Sequence, residues 1–335
     1  MIRVGIVGAG IRGHLFATAL AECADVVGIA DTSARARASA QSLGVELYEN
    51  FGALLTDACP EAIIVATPDF AHREVAVAAA ERGVHLLIEK PLATSLADAY
   101  AIEDAVRKHR VSCAVGFENR WNPHFLAIRH AVEDGSLGQI VHQAAVLSNT
   151  YYVPTTMLNW AAKSSPVWFL MPHTLDLSLW LSGSRPVSVF ARGTRGLLAQ
   201  KGIDTWDVVH ASFMLEDGSL VQLTSAWVLP RASSGIVEFR YEAIAEGGAV
   251  HANLGEQGLT VVSDALRSIW PLGAPVDGHP VGPAVWMAQK FVEDLEGGAD
   301  PKSGLAAGLI VTEALCAVDE SLRSGQVIRL SDITR

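Results

Sequence analysis

Residues 2–13 read IRVGIVGAGIRG, an apolar run that ends in three spaced glycines and opens into helix-forming HLFATALAE. Few folds tolerate that order. Gly8 permits a tight turn, Gly10 lets the backbone approach a pyrophosphate, and Gly13 lets helix and strand pack closely. At the start of the helix, Ile11 and Arg12 offer unpaired N–H groups and the positive end of a dipole, which together suit a phosphate. The next strand, VVGIA, delivers Asp31, 18 residues after Gly13. A carboxylate there accepts from the ribose 2′-hydroxyl of NAD and repels the 2′-phosphate of NADP. Arg35 and Arg37 follow closely and keep NADP as the alternative. The bland alternative is an α/β domain without nucleotide, in which the glycines only turn the chain.

The alternation continues to about residue 120. Strands are expected at 2–7, 26–30, 62–66, 85–89 and 111–117, with helical stretches between them, which predicts a doubly wound parallel sheet. AIIVA (62–66) is apolar throughout, as burial on both faces requires. Two strand ends carry polar chemistry. ATPDFAH (66–72) places Thr67 and Pro68 where a nucleotide is expected to lie, and His72 faces the ribose or opens the next helix as a structural group. HLLIEKPLATS (85–95) delivers Glu89, Lys90 and Pro91. A Glu-Lys pair elsewhere would ordinarily be a solvated surface pair.

Near residue 120 the pattern changes. A helix in NPHFLAIRHAVEDGSLG is followed by alternating runs at 139–150, 186–196, 205–215, 219–229, 235–246 and 249–253. LEDGS and AEGGA are hairpin signals between them. Helices are expected at 168–182, 282–297 and 305–324. The prediction is an α/β chain of two domains, 1–120 and 121–335, the second built on a mostly antiparallel sheet. WFLMPHTLDLSLW (168–180) sets His173 and Asp176 in an apolar run. Pro172 belongs in a first helical turn, so His173 does too. A buried His–Asp pair that merely holds a helix to a sheet is the alternative reading.

Composition excludes several classes. With 25 basic and 36 acidic side chains the net charge is −11, so no basic stripe exists for nucleic acid. No apolar run is long enough for a membrane helix. The four cysteines are scattered, which points to neither a disulfide framework nor a metal site. The absence of a signal-peptide pattern points to the cytoplasm.

GIVGAGIRG, IADTS, VATPDFAH, IEKPLA, FENRWNP (117–123) and MPHTLDLSLWLSG (171–183) together resemble the glucose–fructose oxidoreductase / inositol dehydrogenase / MocA family. The resemblance covers nearly the whole chain. It implies a Rossmann domain followed by an α/β domain whose large open sheet makes a homodimer or homotetramer. It also implies NAD(P)-dependent redox chemistry at one carbon of a sugar, cyclitol or sugar acid. Removing hydride from a carbinol also requires its hydroxyl proton to leave, and an ammonium stabilises the developing alkoxide. The family's lysine of EKP has that role, here Lys90; a cis Lys90–Pro91 bond is expected. Asn119 and Arg120 match a stretch that approaches the cofactor or substrate. His173 falls on the family's catalytic histidine and Asp176 on the acid that often follows it. The aspartate expected four residues before the histidine is replaced by Phe169. The resemblance further places Tyr152, Asn159, Trp160 and Lys163 in a loop lining the substrate pocket. Two alternatives share the scaffold: a non-catalytic dinucleotide sensor, favoured by Phe169, and an NAD-dependent glycosidase.

Overall fold

The computed structural model describes all residues except 34–35, 234, 256–258, 263–265, 270–275, 278 and 335, with the side chains of 37, 39, 259–262 and 266–269 also outside the description. The chain forms two compact units, Met1–Trp121 with Leu272–Leu309, and Asn122–Pro271 with Ile310–Arg335.

The first unit is built on β1 (Arg3–Val7), β2 (Asp25–Ala30), β3 (Leu47–Tyr48), β4 (Ala62–Val65), β5 (His85–Ile88) and β6 (Cys113–Val115). They pair in the order β3-β2-β1-β4-β5-β6, all parallel. That is the dinucleotide-binding order, and the strand order reverses between β1 and β4, where such folds open a crevice. Every residue of β4 is buried. The helices are α1 (Ile11–Leu20), α2 (Ala36–Leu43), the single turn α3 (Phe51–Ala53), α4 (His72–Ala80) and α5 (Leu96–His109). The Ser95 side chain accepts from Asp98 N–H at the start of α5, and Arg107, Lys108 and His109 close its last turn, which complements the dipole at both ends.

The sequence division at 120 gives all later residues to the second domain. The structure returns 272–309 to the first unit. Ala284, Met287, Ala288 and Phe291 recur at helical spacing along the helix Pro283–Gly297, labelled α9 by its place in the chain, and they share one buried cluster with Val4, Ile6 and Phe16. An apolar stripe of that period must be covered, and α1 covers it. Farther on, Ser303 Oγ donates to the Val115 carbonyl at 2.7 Å and Gly304 bridges Ala114, so this segment covers the edge strand β6.

The second unit holds α6 (Pro123–Glu133), β7 (Ile140–Thr150), α7 (Pro166–Phe169), α8 (Met171–Ser182), β8 (Pro186–Thr194), β9 (Val208–Leu215), β10 (Leu220–Leu229), β11 (Val237–Ala245) and β12 (Gly248–Asn253). A two-stranded ribbon, β13 (Leu259–Val262) with β14 (Leu266–Ile269), follows. α10 (Leu305–Ser324) begins in the first unit and continues in the second, and β15 (Ile328–Arg329) ends the large sheet. That sheet runs β12-β11-β7-β10-β9-β8-β15. Its pairs are antiparallel except β7 with β10. Both expected hairpins form, at β9–β10 and β11–β12. The helix expected at 168–182 is two helices, separated at Leu170. Pro172 lacks an N–H and its ring crowds the preceding turn, so a helix restarts there rather than passing through.

α8 lies against β7 and β10. Gln143 donates to the Ser178 carbonyl at 3.1 Å and accepts from Tyr241 Oη at 2.7 Å, a buried polar tie from sheet to helix. Phe190, Met214, Leu220 and Ile244 remain exposed on the strands. Met214 pairs Leu220, Leu220 pairs His142, and His142 pairs Ile244, so three of the four stand in one row across the sheet.

Candidate functional site

In the first unit, parallel strands bring their carboxyl ends to one edge. β1 runs into Gly8, β2 into Asp31, β4 into Thr67 and Pro68, β5 into Glu89, Lys90 and Pro91, and β6 leads to Asn119 and Arg120. The residues expected to hold the cofactor therefore belong to this edge or to the start of α1, except His72, which opens α4.

The glycine turn is sterically committed. Gly8 has φ +103°, and a Cβ there would meet the Ala66 carbonyl oxygen at 2.5 Å. A Cβ on Gly13 would lie 1.8 Å from the Gly8 oxygen, whereas one on Gly10 would meet nothing within 4 Å. Gly10 caps α1 without a side-chain hydrogen bond, so its first N–H groups are available to an anion. Ile11 beside them is 71% exposed. Asp31 accepts from Ala9 N–H through Oδ2 and from Ser33 N–H through Oδ1, both at 2.6 Å. The Thr67 hydroxyl is buried and lacks a partner among the described residues. An open glycine cradle, uncapped N–H groups and an orphaned hydroxyl next to the turn fit a dinucleotide. Arg35 and the side chain of Arg37 lie outside the described residues.

His72 is buried, with Nδ1 2.8 Å from the Pro91 carbonyl and Nε2 3.2 Å from that of Thr67. Burial pushes its pKa below the ordinary value, against Asp69 and these carbonyls. It ties two strand ends together. The Lys90–Pro91 bond is cis. Burial holds the Lys90 ammonium below its usual pKa and Arg12 adds to this, while Glu89, Asp69 and Glu118 oppose it. Arg120 donates through Nη1 to the Lys302 carbonyl at 2.8 Å, and Asn119 is buried beside it. Glu118 and Asp69 escaped the sequence reading. Glu118 meets Arg12 at 2.8 Å, and the only local signal was its place directly before Asn119 and Arg120.

In the second unit, Tyr152, Asn159, Trp160 and Lys163 lie on the segment between β7 and α7. Phe169 ends α7, His173 sits in the first turn of α8, and Asp176 is buried one turn later on the same helix. Residues three apart on a helix share a face. Phe169 packs between Trp227 and Trp160, with centroids 5.6 and 6.0 Å away. Trp227 was not foreseen, because its distance along the chain hides the contact. Tyr152 is exposed, and Lys163 lines a cleft of about 550 Å³ with Ser165, Trp168, Arg195, Trp206 and Asp319. In that cleft Trp168 Nε1 donates to Asp319 Oδ2 at 2.9 Å. Burial pushes the Asp319 carboxyl up to about 6, with Trp168 and Arg195 opposing. Trp160, Phe169 and His173 do not line this cleft.

Among the described residues no helix is long and apolar enough to cross a membrane, and no cluster of His, Cys, Asp or Glu is placed to hold a metal ion.

Residues 2–117 match the oxidoreductase family with an NAD-binding Rossmann fold, and residues 125–251 match the GFO/IDH/MocA C-terminal domain. The chain is 25% identical over 283 residues to the rhizopine catabolism protein MocA of Rhizobium meliloti, an alignment covering 81% of this chain and 89% of that one. It is 30% identical over 223 residues to an inositol 2-dehydrogenase of Rhizobium meliloti strain 1021, covering 65% and 66%. The crystal structure of scyllo-inositol dehydrogenase from Lactobacillus casei with bound NAD(H) and scyllo-inositol superposes with a TM-score of 0.83 over 99% of both chains at 19% identity, which speaks to the fold. Strand order, glycine turn and the match to both domains agree: the chain belongs to the Gfo/Idh/MocA family of NAD-binding oxidoreductases.

Proposed function

We propose that the protein is an NAD(P)-dependent dehydrogenase or reductase acting at a carbinol carbon of a sugar, cyclitol or sugar acid, with NAD preferred over NADP. The observation that carries this reading is Lys90, a half-buried ammonium delivered by β5 to the same sheet edge as the glycine turn and Asp31. Backbone N–H groups of Ile11, Arg12 and Gly13 hold the pyrophosphate, Asp31 the ribose, and Thr67, Pro68, His72, Glu89, Pro91, Asn119 and Arg120 border the rest of the cofactor. The nicotinamide, when bound, supplies the hydride acceptor. Lys90 stabilises the developing alkoxide and His173, in the first turn of α8, takes the hydroxyl proton. Asp176 orients the imidazole. Tyr152, Asn159, Trp160, Lys163 and Phe169 shape substrate recognition. The names of the inositol 2-dehydrogenase and MocA relatives support a polyol substrate. The exposed row Met214, Leu220 and Ile244 supports a homodimer or homotetramer through the second sheet, and the free cysteines Cys23, Cys59, Cys113 and Cys316 support a cytoplasmic location.

The test is a screen of sugars, cyclitols and aldonates with NAD+ and NADP+, following absorbance of the reduced cofactor. Turnover with NAD+ that falls about 10²–10⁴-fold in Lys90→Ala and His173→Ala supports the reading. Wild-type turnover in both variants overturns the assignment. The second reading, a dinucleotide-dependent sensor, rests on Phe169 and its two tryptophan neighbours. NADH binding without hydride exchange toward any compound in the screen would favour it.

A further inference from the structure

Arg12 follows the glycine turn by two residues, where a cation would be expected to reach for phosphate. Its side chain does something else. Nε meets Glu89 Oε1 at 2.5 Å and Nη2 meets Glu118 Oε2 at 2.8 Å. The other oxygen of Glu89 accepts from the Lys90 backbone N–H at 3.1 Å. Glu89 is 6% exposed, and a Cβ on Gly116 would stand 3.1 Å from Glu89 Oε2 and from Lys90 N, so the absence of a side chain at 116 makes room for this carboxylate. Burial works against the charge of Arg12, but Glu118 and Glu89 outweigh it and raise its pKa. A planar guanidinium can bridge two carboxylates that a lysine ammonium cannot hold in the same geometry.

We infer that the Arg12 side chain is a positioning residue: it fixes the Glu89 carboxylate, and through it the backbone at Lys90, linking the glycine turn to the lysine at the end of β5. This rests on the reading of Lys90 as the group that meets substrate. The link has an electrostatic side. The charged groups acting on Lys90 are Glu89, Asp69 and Glu118, which favour its protonation, and Arg12, which disfavours it; buried His72 bonds the neighbouring Pro91 carbonyl. Removing Arg12 leaves two carboxylates acting on Lys90 without their counter-charge. The backbone N–H of Arg12 remains available to phosphate while its side chain serves the lysine.

The experiment uses the full chain without cofactor. Acetylation of Lys90 by N-hydroxysuccinimidyl acetate is followed by mass spectrometry across a pH series in wild type, Arg12→Met, Arg12→Lys and Glu118→Gln. Arg12→Met is expected to move the midpoint up by about one pH unit, the effect of deleting one nearby like charge. Glu118→Gln is expected to move it down, and tests the same balance if Arg12→Met fails to fold. Arg12→Lys keeps the charge and the midpoint but loses the bridge, so kcat at saturating NAD+ falls about tenfold while NADH affinity, read by fluorescence, holds. Unmoved midpoints in Arg12→Met and Glu118→Gln overturn the inference. So does a weakened NADH affinity in Arg12→Lys with wild-type kcat, which would make the side chain a simple cofactor contact. Failure of the dehydrogenase reading itself shows separately, as a wild-type protein that does not bind NADH or turn over.

Discussion

Two alanine substitutions, three residues apart, separate cofactor contact from fold. A Cβ on Gly13 would stand 1.8 Å from the Gly8 oxygen, and real Cβ contacts begin near 3.0 Å, so α1 must retreat by about 1.2 Å. An N–H···O bond of about 2.9 Å stretched past about 3.6 Å is no longer a bond. Two backbone donors to a phosphate at about 1.5 kcal/mol each amount to about 3 kcal/mol, or about 10²-fold in NADH affinity. The displaced helix also loses its packing, so the melting temperature falls. Gly10 differs: its φ is −71° and its Cβ would meet nothing within 4 Å. Gly10→Ala should melt like wild type, yet its methyl group occupies the path of the pyrophosphate and weakens NADH by about tenfold or more. Fluorescence titration with NADH and a thermal melt on both variants suffice. Wild-type NADH affinity in Gly10→Ala would refute the placement of the cofactor at this turn, and an unperturbed Gly13→Ala would refute the steric argument.

Asp319 gives a prediction about pH. Its carboxyl is pushed up to about 6 by burial, so the unfolded chain ionises first and stability falls as pH climbs from about 4 to about 6. Two pKa units correspond to about 3 kcal/mol, which partial solvent access reduces to about 1–2 kcal/mol. Urea unfolding at about pH 4 and about pH 7 should show Asp319→Asn gaining that much on wild type at the higher pH; a pH-independent difference would mean that the carboxyl is not desolvated. On the open sheet face, Ile244→Glu should leave the melting temperature within about 2 °C while lowering the mass measured by light scattering. An unchanged mass sinks the idea that this row makes the oligomer.

The sequence was most informative where chemistry is local. Gly8, Gly10, Gly13 and Asp31 sit within one strand-turn-helix-strand unit, and each is where short-range geometry puts it. The same holds for Pro172, which located the start of α8, although its effect on the preceding turn, the break at Leu170, was not anticipated. What stayed hidden is pairing over distance. Nothing in the residues of β7 announces a parallel partner in β10, because alternation marks a buried face and not a neighbour. Arg12 reads as a phosphate ligand until Glu89 and Glu118, remote in sequence, are placed around it. Phe169 is conspicuous in the chain, but its stacking against Trp227 is not.

The return of residues 272–309 to the first unit bears on how this chain is made. Domains usually fold as units during synthesis, from the N-terminus onward. Here the core around Val4, Ile6 and Phe16 is closed by Ala284, Met287, Ala288 and Phe291, and those residues leave the ribosome late. The nucleotide-binding half therefore waits, with an apolar helix face uncovered, until most of the other unit has been translated. A fragment ending at Trp121 would carry that face into solution unprotected, and an early stop anywhere before α9 would release a chain whose first half had never been able to finish.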